Sequence, residues 1–323
     1  MSSATAPLSA PTAEEHLEDL RVELTGYCYR MLGSLFDAED AVQETLLRAW
    51  RGWDGFDGRS STRTWAYRIA TNVCLDLLRG RRRRALPTDF GDPSSPLAAS
   101  LGDAETGWLG PAPDAAVLPT ADPAELVVLR DSVRLAFVAA LQHLPARQRA
   151  ALILRDVLGW HADEVARLLD TSVPAVNSAL QRARATLADR DGGATGPALD
   201  EEHRDLLDRY VRVFERYDID ALVGLLREDV VHSMPPYRMW LSGAADIGRW
   251  MTSGPGSGCR GSRLLRVSAN GGPALAQYRP DRAGGHRPFS VQLIDVADGQ
   301  IIRLTHFLEP ALFARFGLPD RIA

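Results

Sequence analysis

The chain has no lysine. All 37 of its basic residues are arginine, which excludes a P-loop lysine, a Schiff-base lysine and any other chemistry that needs a side-chain amine. With abundant Ala and Gly, this absence points to a GC-rich coding bias. Cysteine is almost as scarce. Cys28, Cys74 and Cys259 are scattered, with no CxxC pair and no histidine at ligand spacing. They read as reduced thiols of a cytoplasmic protein, with no disulfide framework and no zinc site. No apolar run approaches the roughly 18 residues of a membrane span, so no membrane partner is expected. Met1 to Thr12 is rich in Ser, Ala and Pro, lacks the basic-then-apolar order of a signal peptide, and reads as a loose tail. No metal and no cofactor is expected.

The last absence is local. Residues 85 to 129 hold seven acids (Asp89, Asp92, Asp103, Glu105, Asp114, Asp122, Glu125) and no base. Just before them, Arg51 to Arg84 carries nine Arg against three Asp and ends in Arg81-Arg82-Arg83-Arg84. The net charge of −5 conceals this asymmetry. Screening confines each patch to about a 10 Å neighbourhood, so a mildly acidic chain can still present a basic nucleic-acid surface.

A length of 323 residues suggests two or three domains. Residues 13 to 84 have helical apolar periodicity and few breakers. Residues 85 to 124 are rich in Pro, Gly, Ala and Ser and read as an extended linker. Residues 125 to 190 are helical again. A hinge, Asp191 to Pro197, leads to residues 200 to 318, where two helical patterns precede strand-like runs at Arg263–Ala269, Ala274–Arg279, Phe289–Val296 and Ile301–Phe307. Helices followed by strands indicate α+β. No internal repeat is visible.

In the first block, a helical wheel over Asp37 to Trp50 puts Val42, Leu46, Ala49 and Trp50 on a core face. Asp37, Asp40, Glu44, Leu47, Arg48 and Arg51 fall opposite. That face is either simply solvated or a partner interface, and Leu47 among charges suits the latter. Over Arg63 to Arg79 the buried stripe is Ala66, Ile69, Ala70, Val73 and Leu77. Arg68, Thr71, Asn72 and Arg79 share the other face, with Trp65 at its edge. A Gly-rich loop from Trp53 to Ser61 adds Phe56 and Arg59. Arginines fix phosphates, and aromatic faces stack unpaired bases at about 1–3 kcal/mol each. The interleaving suits single-stranded DNA, although any one of Trp53, Phe56 and Trp65 taken alone reads better as core. The Arg81 to Arg84 run is either a solvated helix end or a phosphate clamp.

The second block reads as a helix-turn-helix. Leu144-Pro145-Ala146 opens a helix, Asp163 to Leu169 forms another, and Asp170-Thr171-Ser172 turns into a third, with Ser172 as N-cap. In that third helix Val176, Leu180, Ala183 and Leu187 make the core stripe. Pro174, Ala175, Ser178, Gln181 and Arg182 lie opposite, flanked by Asn177 and Arg184. Short residues at its start allow close approach to a major groove, where Asn, Gln and Arg read base edges. An ordinary helical hairpin is the bland alternative.

Tyr29-Arg30-Met31-Leu32-Gly33 followed by Asp37 to Trp50 resembles the polymerase-binding helix of the extracytoplasmic-function (ECF) group of sigma-70 factors. Thr64-Trp65-Ala66-Tyr67-Arg68-Ile69-Ala70-Thr71-Asn72 resembles that group's helix for the −10 promoter element, and Leu144 to Leu187 its −35 domain. The resemblance implies that Asp37, Asp40, Gln43, Glu44, Leu47 and Arg48 meet core RNA polymerase. It assigns Trp53, Phe56, Arg59, Ser61, Trp65, Arg68, Asn72 and Arg79 to −10 DNA. It assigns Pro174, Ala175, Asn177, Ser178, Gln181, Arg182 and Arg184 to −35 DNA, with Asn177-Ser178 standing where many relatives have a basic residue. The linker would thread through polymerase, its acidity imitating nucleic acid in a basic channel.

Residues 200 to 318 resemble the SnoaL-like (polyketide cyclase) fold through Tyr210 to Phe214, Leu225 to Val230 and Asp298 to Ile301 leading to Phe307-Leu308-Glu309-Pro310. Such cones hold a pocket, for which His232, Tyr237, Trp240, Trp250 and His306 are the candidate lining for a small-molecule ligand. The expected architecture is multidomain: two all-α DNA- and polymerase-binding domains, the second a helix-turn-helix, and a C-terminal α+β cone-shaped barrel. The expected function is promoter recognition and transcription initiation, not catalysis, with the last domain tuning activity in cis. The alternative is a helix-turn-helix regulator with a ligand-sensing or enzymatic cone, which leaves the first block unexplained.

Overall fold

The computed structural model describes residues 13–98, 100–188 and 201–323. The N-terminal tail and the Asp191 to Pro197 hinge lie outside the described residues.

The first domain is α1 (Ala13–Glu18), α2 (Arg21–Leu32), α3 (Leu35–Arg51) and α4 (Thr62–Leu78). Its centre is α2, in which every residue from Leu24 to Leu32 is buried. A helix covered on all sides must be apolar or satisfied all round, and α2 meets this with Tyr27, Cys28, Tyr29 and Met31. Gly26 lets the chain approach: a Cβ there would stand 2.3 Å from the Val117 carbonyl oxygen. Ser34 caps α3 by accepting from the Asp37 amide, and Ser61 caps α4 by accepting from Thr64, which fixes where both helices begin.

The acidic segment does not hang free. After a short 3-10 turn at Pro87–Asp89 it runs to α5 (Asp114–Val117), and Leu109, Ala112 and Val117 are at most 1% exposed. The Leu109 amide donates to Ala85 and the Gly110 amide to Gly33. Averaged composition hides these few apolar anchors, which is why the segment reads as an extended tether.

The second helical domain comprises α6 (Pro123–Val133), α7 (Leu135–Leu141), α8 (Ala146–Leu152), α9 (Ala162–Leu168) and α10 (Val173–Ala188). Asp122 caps α6 through the Ala124 and Glu125 amides, with Pro123 in its first turn, where a missing N–H costs nothing.

The C-terminal domain packs α11 (Glu201–Arg216), α12 (Ile219–Val223) and α13 (Ala244–Thr252) on one six-stranded sheet, closed by α14 (Leu312–Arg315). The strands are β1 (Leu226–Ser233), β2 (Trp240–Ser242), β3 (Arg263–Ala269), β4 (Gly272–Pro280), β5 (His286–Ala297) and β6 (Gln300–Phe307), in the order β2-β1-β6-β5-β4-β3. Only β1 and β6 pair in parallel. β1 and β2 are additional to the four strand-like runs of the sequence, because the charges at Arg227, Glu228 and Asp229 break the alternation.

The sheet is covered on both faces. Along β4, Leu275 belongs to the core inside the cone, whereas Ala274, Ala276 and Tyr278 join a contiguous apolar core that runs through both helical domains. β5 divides likewise, Ile294 inward and Val291 and Leu293 outward. The period-2 alternation of a strand thus ties the cone to the helices.

Candidate functional site

The outer face of α3 presents Asp40, Gln43, Leu47 and Arg48 to solvent, with Glu44 half-buried and paired to Arg48 at 2.6 Å. Asp37 stands apart from them. One of its carboxylate oxygens accepts from both Arg81 at 2.8 Å and Arg84 at 2.6 Å, so it anchors the arginine run inside the domain. Trp50 is not core: it is 63% exposed, while Ala49 beside it takes the buried position of that turn. With Leu47, 42% exposed, it makes an apolar spot among charges.

Trp53, Phe56 and Trp65 meet one another. Phe56 stacks on Trp65 with centroids 4.9 Å apart, and Trp53 lies 5.8 Å from Phe56. All three rings are half-buried. Arg59 is paired with Asp57 at 2.6 Å and Arg79 with Asp76 at 3.0 Å, while Asn72 is exposed. Thr71 is buried, not on the outer face, and its hydroxyl pairs with Tyr27 at 2.8 Å. Arg68 reaches across to the second domain and donates to the Arg167 carbonyl at 3.2 Å.

In the helix-turn-helix, Asp170 takes a left-handed turn (φ 50°) between α9 and α10. The Ser172 hydroxyl accepts from the Ala175 amide at 3.3 Å. Val176, Leu180 and Ala183 are buried. Pro174, Ala175, Asn177, Ser178, Gln181, Arg182 and Arg184 are all exposed, and Arg184 is held bidentately by Asp156 at 2.7 and 2.9 Å.

The two helical domains are packed together. Arg30, 1% exposed, donates to the Ser132 hydroxyl at 2.9 Å and the Leu129 carbonyl at 3.1 Å. Arg149, 4% exposed, donates back to the Met31 carbonyl, to Gln142 at 2.7 Å and to the Leu144 carbonyl at 3.1 Å. Neither has a carboxylate partner. Burial pushes each guanidinium down to about 10, still charged at neutral pH and held by neutral carbonyl and hydroxyl acceptors. The Tyr67 and Trp160 rings add a tilted contact, 5.1 Å between centroids.

The turn between β3 and β4 enters this junction. Asn270, at a left-handed φ of 54°, is 5% exposed. Its Nδ2 donates to the Tyr29 hydroxyl at 2.6 Å, in the first domain, and to the Val133 carbonyl at 2.7 Å, in the second. Its Oδ1 accepts from the Ala112 amide of the linker at 3.0 Å, and its own amide donates to the Ala112 carbonyl at 3.0 Å. Next to it, the Gly271 amide donates to Asp114 at 2.7 Å. One residue of the cone therefore joins all three preceding segments. Nearby, Arg315 of α14 pairs with Glu39 of α3 at 2.8 Å.

Inside the cone, His232 of β1 and His306 of β6 lie edge to face, 4.5 Å between centroids. Both nitrogens of His232 and Nε2 of His306 are buried with no hydrogen-bond partner. Burial lowers His232 to about 4, and burial together with the neighbouring imidazole holds His306 well below its ordinary value, so both are neutral at pH 7. Trp250 is buried in the cone's core. Tyr237 and Trp240 sit half-buried where the linker attaches: Trp240 Nε1 donates to the Gly91 carbonyl at 3.2 Å, and Arg238 pairs with Glu105 at 2.6 Å. Among the described residues there is no group of His, Cys, Asp and Glu able to hold a metal, and no helix long and apolar enough to cross a membrane.

Asn270, Gly271, Arg149 and Arg315 escaped the sequence reading, and Arg30 entered it only within a motif, without its role at the domain junction. Asn270-Gly271-Gly272 signals a hairpin turn and nothing about what the turn touches.

Three family models match the chain: Sigma-70 region 2 at residues 17–84, Sigma-70, region 4 at residues 134–187, and a SnoaL-like domain at residues 207–304. The ECF RNA polymerase sigma factor SigG of Mycobacterium tuberculosis is 50% identical over 317 residues, covering 95% of this chain and 84% of that protein. SigJ of the same organism is 28% identical over 320 residues, 95% of each chain. The crystal structure of Mycobacterium tuberculosis SigJ matches with a TM-score of 0.60 at 24% identity, covering 94% of this chain and 99% of that one, a likeness of fold.

Proposed function

Because the chain belongs to the ECF RNA polymerase sigma factors, which bind core polymerase and promoter DNA to initiate transcription, we propose that its C-terminal cone holds the sigma part closed in cis. The observation that carries this is Asn270, whose one side chain bonds the first domain, the linker and the second domain together. In the cytoplasm, release of this latch would free the outer face of α3, with Asp40, Gln43, Glu44, Leu47 and Arg48, for core polymerase. It would release Arg68 from α9 so that it could join Trp53, Phe56, Arg59, Ser61, Trp65, Asn72 and Arg79 against −10 DNA. The exposed face of α10 would read −35 DNA. Asp37, whose carboxylate accepts from Arg81 and Arg84, supports the arginine run from within the domain. The unpartnered nitrogens of His232 and His306 are where a polar group of a small ligand would bind to bias the cone.

A glycine supplies the test. Gly271 has φ 75°, and a Cβ there would stand 2.4 Å from the Arg130 carbonyl oxygen, so Gly271→Val wedges the latch open. Run-off transcription with purified core polymerase should give more promoter-dependent product from Gly271→Val than from the unaltered chain. Equal product from the two would sink the closed arrangement as a regulatory state.

A further inference from the structure

The four consecutive arginines are only partly used by the function above. Arg81 and Arg84 share one oxygen of Asp37. Arg83 also bonds the His143 ring and lies 3.9 Å from Asp89, Arg84 also donates to the Trp108 carbonyl at 2.7 Å, and Arg82 is exposed. Together they line a cleft of about 200 Å³ between the helical domains, whose far wall includes Arg149. Arg149 is buried and its Nε has no partner. Five guanidinium groups and a single carboxylate therefore bound one recess.

We propose that this cleft binds a short phosphate chain, inorganic or carried by a nucleotide, and that the bound anion clamps the two helical domains together. Charge and geometry both favour this class. Guanidinium groups bond phosphate oxygens bidentately, and charge-assisted bonds of this kind are the strong ones. A water occupies about 30 Å³, so a 200 Å³ recess accepts a few linked phosphates and leaves a base and sugar outside. A duplex cannot enter it. The walls come from both domains, Arg81 to Arg84 from one and Arg149 from the other, so an anion that touches both walls binds the closed form in preference to the open one. By linkage, at a ligand concentration of 100 times Kd the population of open molecules falls about 100-fold.

The clamp rests on the closed arrangement proposed above, and the site itself does not. Calorimetric titration of the full chain with inorganic tripolyphosphate, at constant ionic strength, should give saturable one-to-one binding. The double variant Arg82→Gln, Arg83→Gln should bind at least about tenfold more weakly, while Arg287→Gln, which removes an exposed arginine of the cone, should not. Saturating tripolyphosphate should slow amide exchange across the α4–α9 contact about 100-fold. GTP binding as tightly as tripolyphosphate assigns the phosphate chain alone, and tighter GTP binding assigns a nucleotide; both uphold the site. Absence of saturable heat overturns the proposal, as does equal binding by the double variant, or binding that leaves exchange unchanged. If promoter duplex binding falls in the double variant while tripolyphosphate does not bind, the arginines are a DNA phosphate contact and the proposal fails. Failure of the closed-state function would show differently, as unchanged transcription by Gly271→Val with the titration intact.

Discussion

Replacing Asn270 by glycine removes the latch side chain while keeping a residue that tolerates its left-handed φ of 54°. Alanine would add backbone strain of its own; glycine does not. Three side-chain bonds are lost, to the Tyr29 hydroxyl, the Val133 carbonyl and the Ala112 amide. The Tyr29 hydroxyl keeps its bond to the Gly110 carbonyl at 2.8 Å, so it is not orphaned. The Ala112 amide and Val133 carbonyl are left inside a buried junction, where each unsatisfied group costs about 1–3 kcal/mol. Water entering the vacated space recovers part of this, leaving about 2–4 kcal/mol against the closed form. At 1.4 kcal/mol per factor of ten, the closed-to-open ratio falls by roughly 30-fold to several hundred-fold. A chain that binds polymerase only when open has an apparent Kd divided by its open fraction, so affinity for core polymerase should rise by a comparable factor. Fluorescence anisotropy of labelled chain titrated with core polymerase measures it. An affinity within threefold of the unaltered protein would refute the latch, since the bonds would then be broken at no cost to closure.

Three further outcomes follow from the geometry. His232 is lowered to about 4 when folded against about 6.5 unfolded. A depressed folded value means stability is fully present above the unfolded pKa and is lost as pH falls through the folded one. Chemical denaturation should therefore show a loss of about 3 kcal/mol between pH 6.5 and 4 from this residue, and His232→Phe should flatten that slope; an unchanged slope would mean the imidazole is hydrated. Arg182→Ala should weaken −35 duplex binding by about 1–3 kcal/mol if Arg182 meets a base, with band-shift titration as the measure and unaltered melting as the control. Asp40→Arg should weaken core polymerase binding by roughly tenfold, and its melting temperature should not change, because Asp40 is exposed and outside the bundle's core.

Helical periodicity located α3, α4 and the stripe of α10 well, since each has one face in a core and one in solvent. It failed where that condition failed. Trp50 shares its turn with Ala49, which is fully buried, so the core side of α3 at this level is narrow and the indole at its margin points to solvent. Thr71 lies on the polar arc of α4, yet α2 covers it and Tyr27 takes its hydroxyl. Trp53, Phe56 and Trp65 pack on one another and stay half-buried, which is neither the buried core nor the fully open platform that their composition allowed. Trp240, a candidate for a pocket wall, bonds the linker through Gly91 and Ser94.

Sequence by itself determined most of the parts: the principal helices, four of the six strands, most of the apolar faces, and the resemblance that names the family. Those properties are local, set by residue spacing and by side-chain chemistry that recurs every turn or every second residue. How the parts sit on one another was decided only by tertiary structure. The outward residues of β4 and β5, Ala274, Ala276, Val291 and Leu293, bury themselves in the helical domains' core. Asn270 satisfies three segments that lie 137 to 241 residues away in the chain. A short turn residue carries no periodicity that could announce such partners, because they are fixed by the shape of the junction and not by the sequence around it.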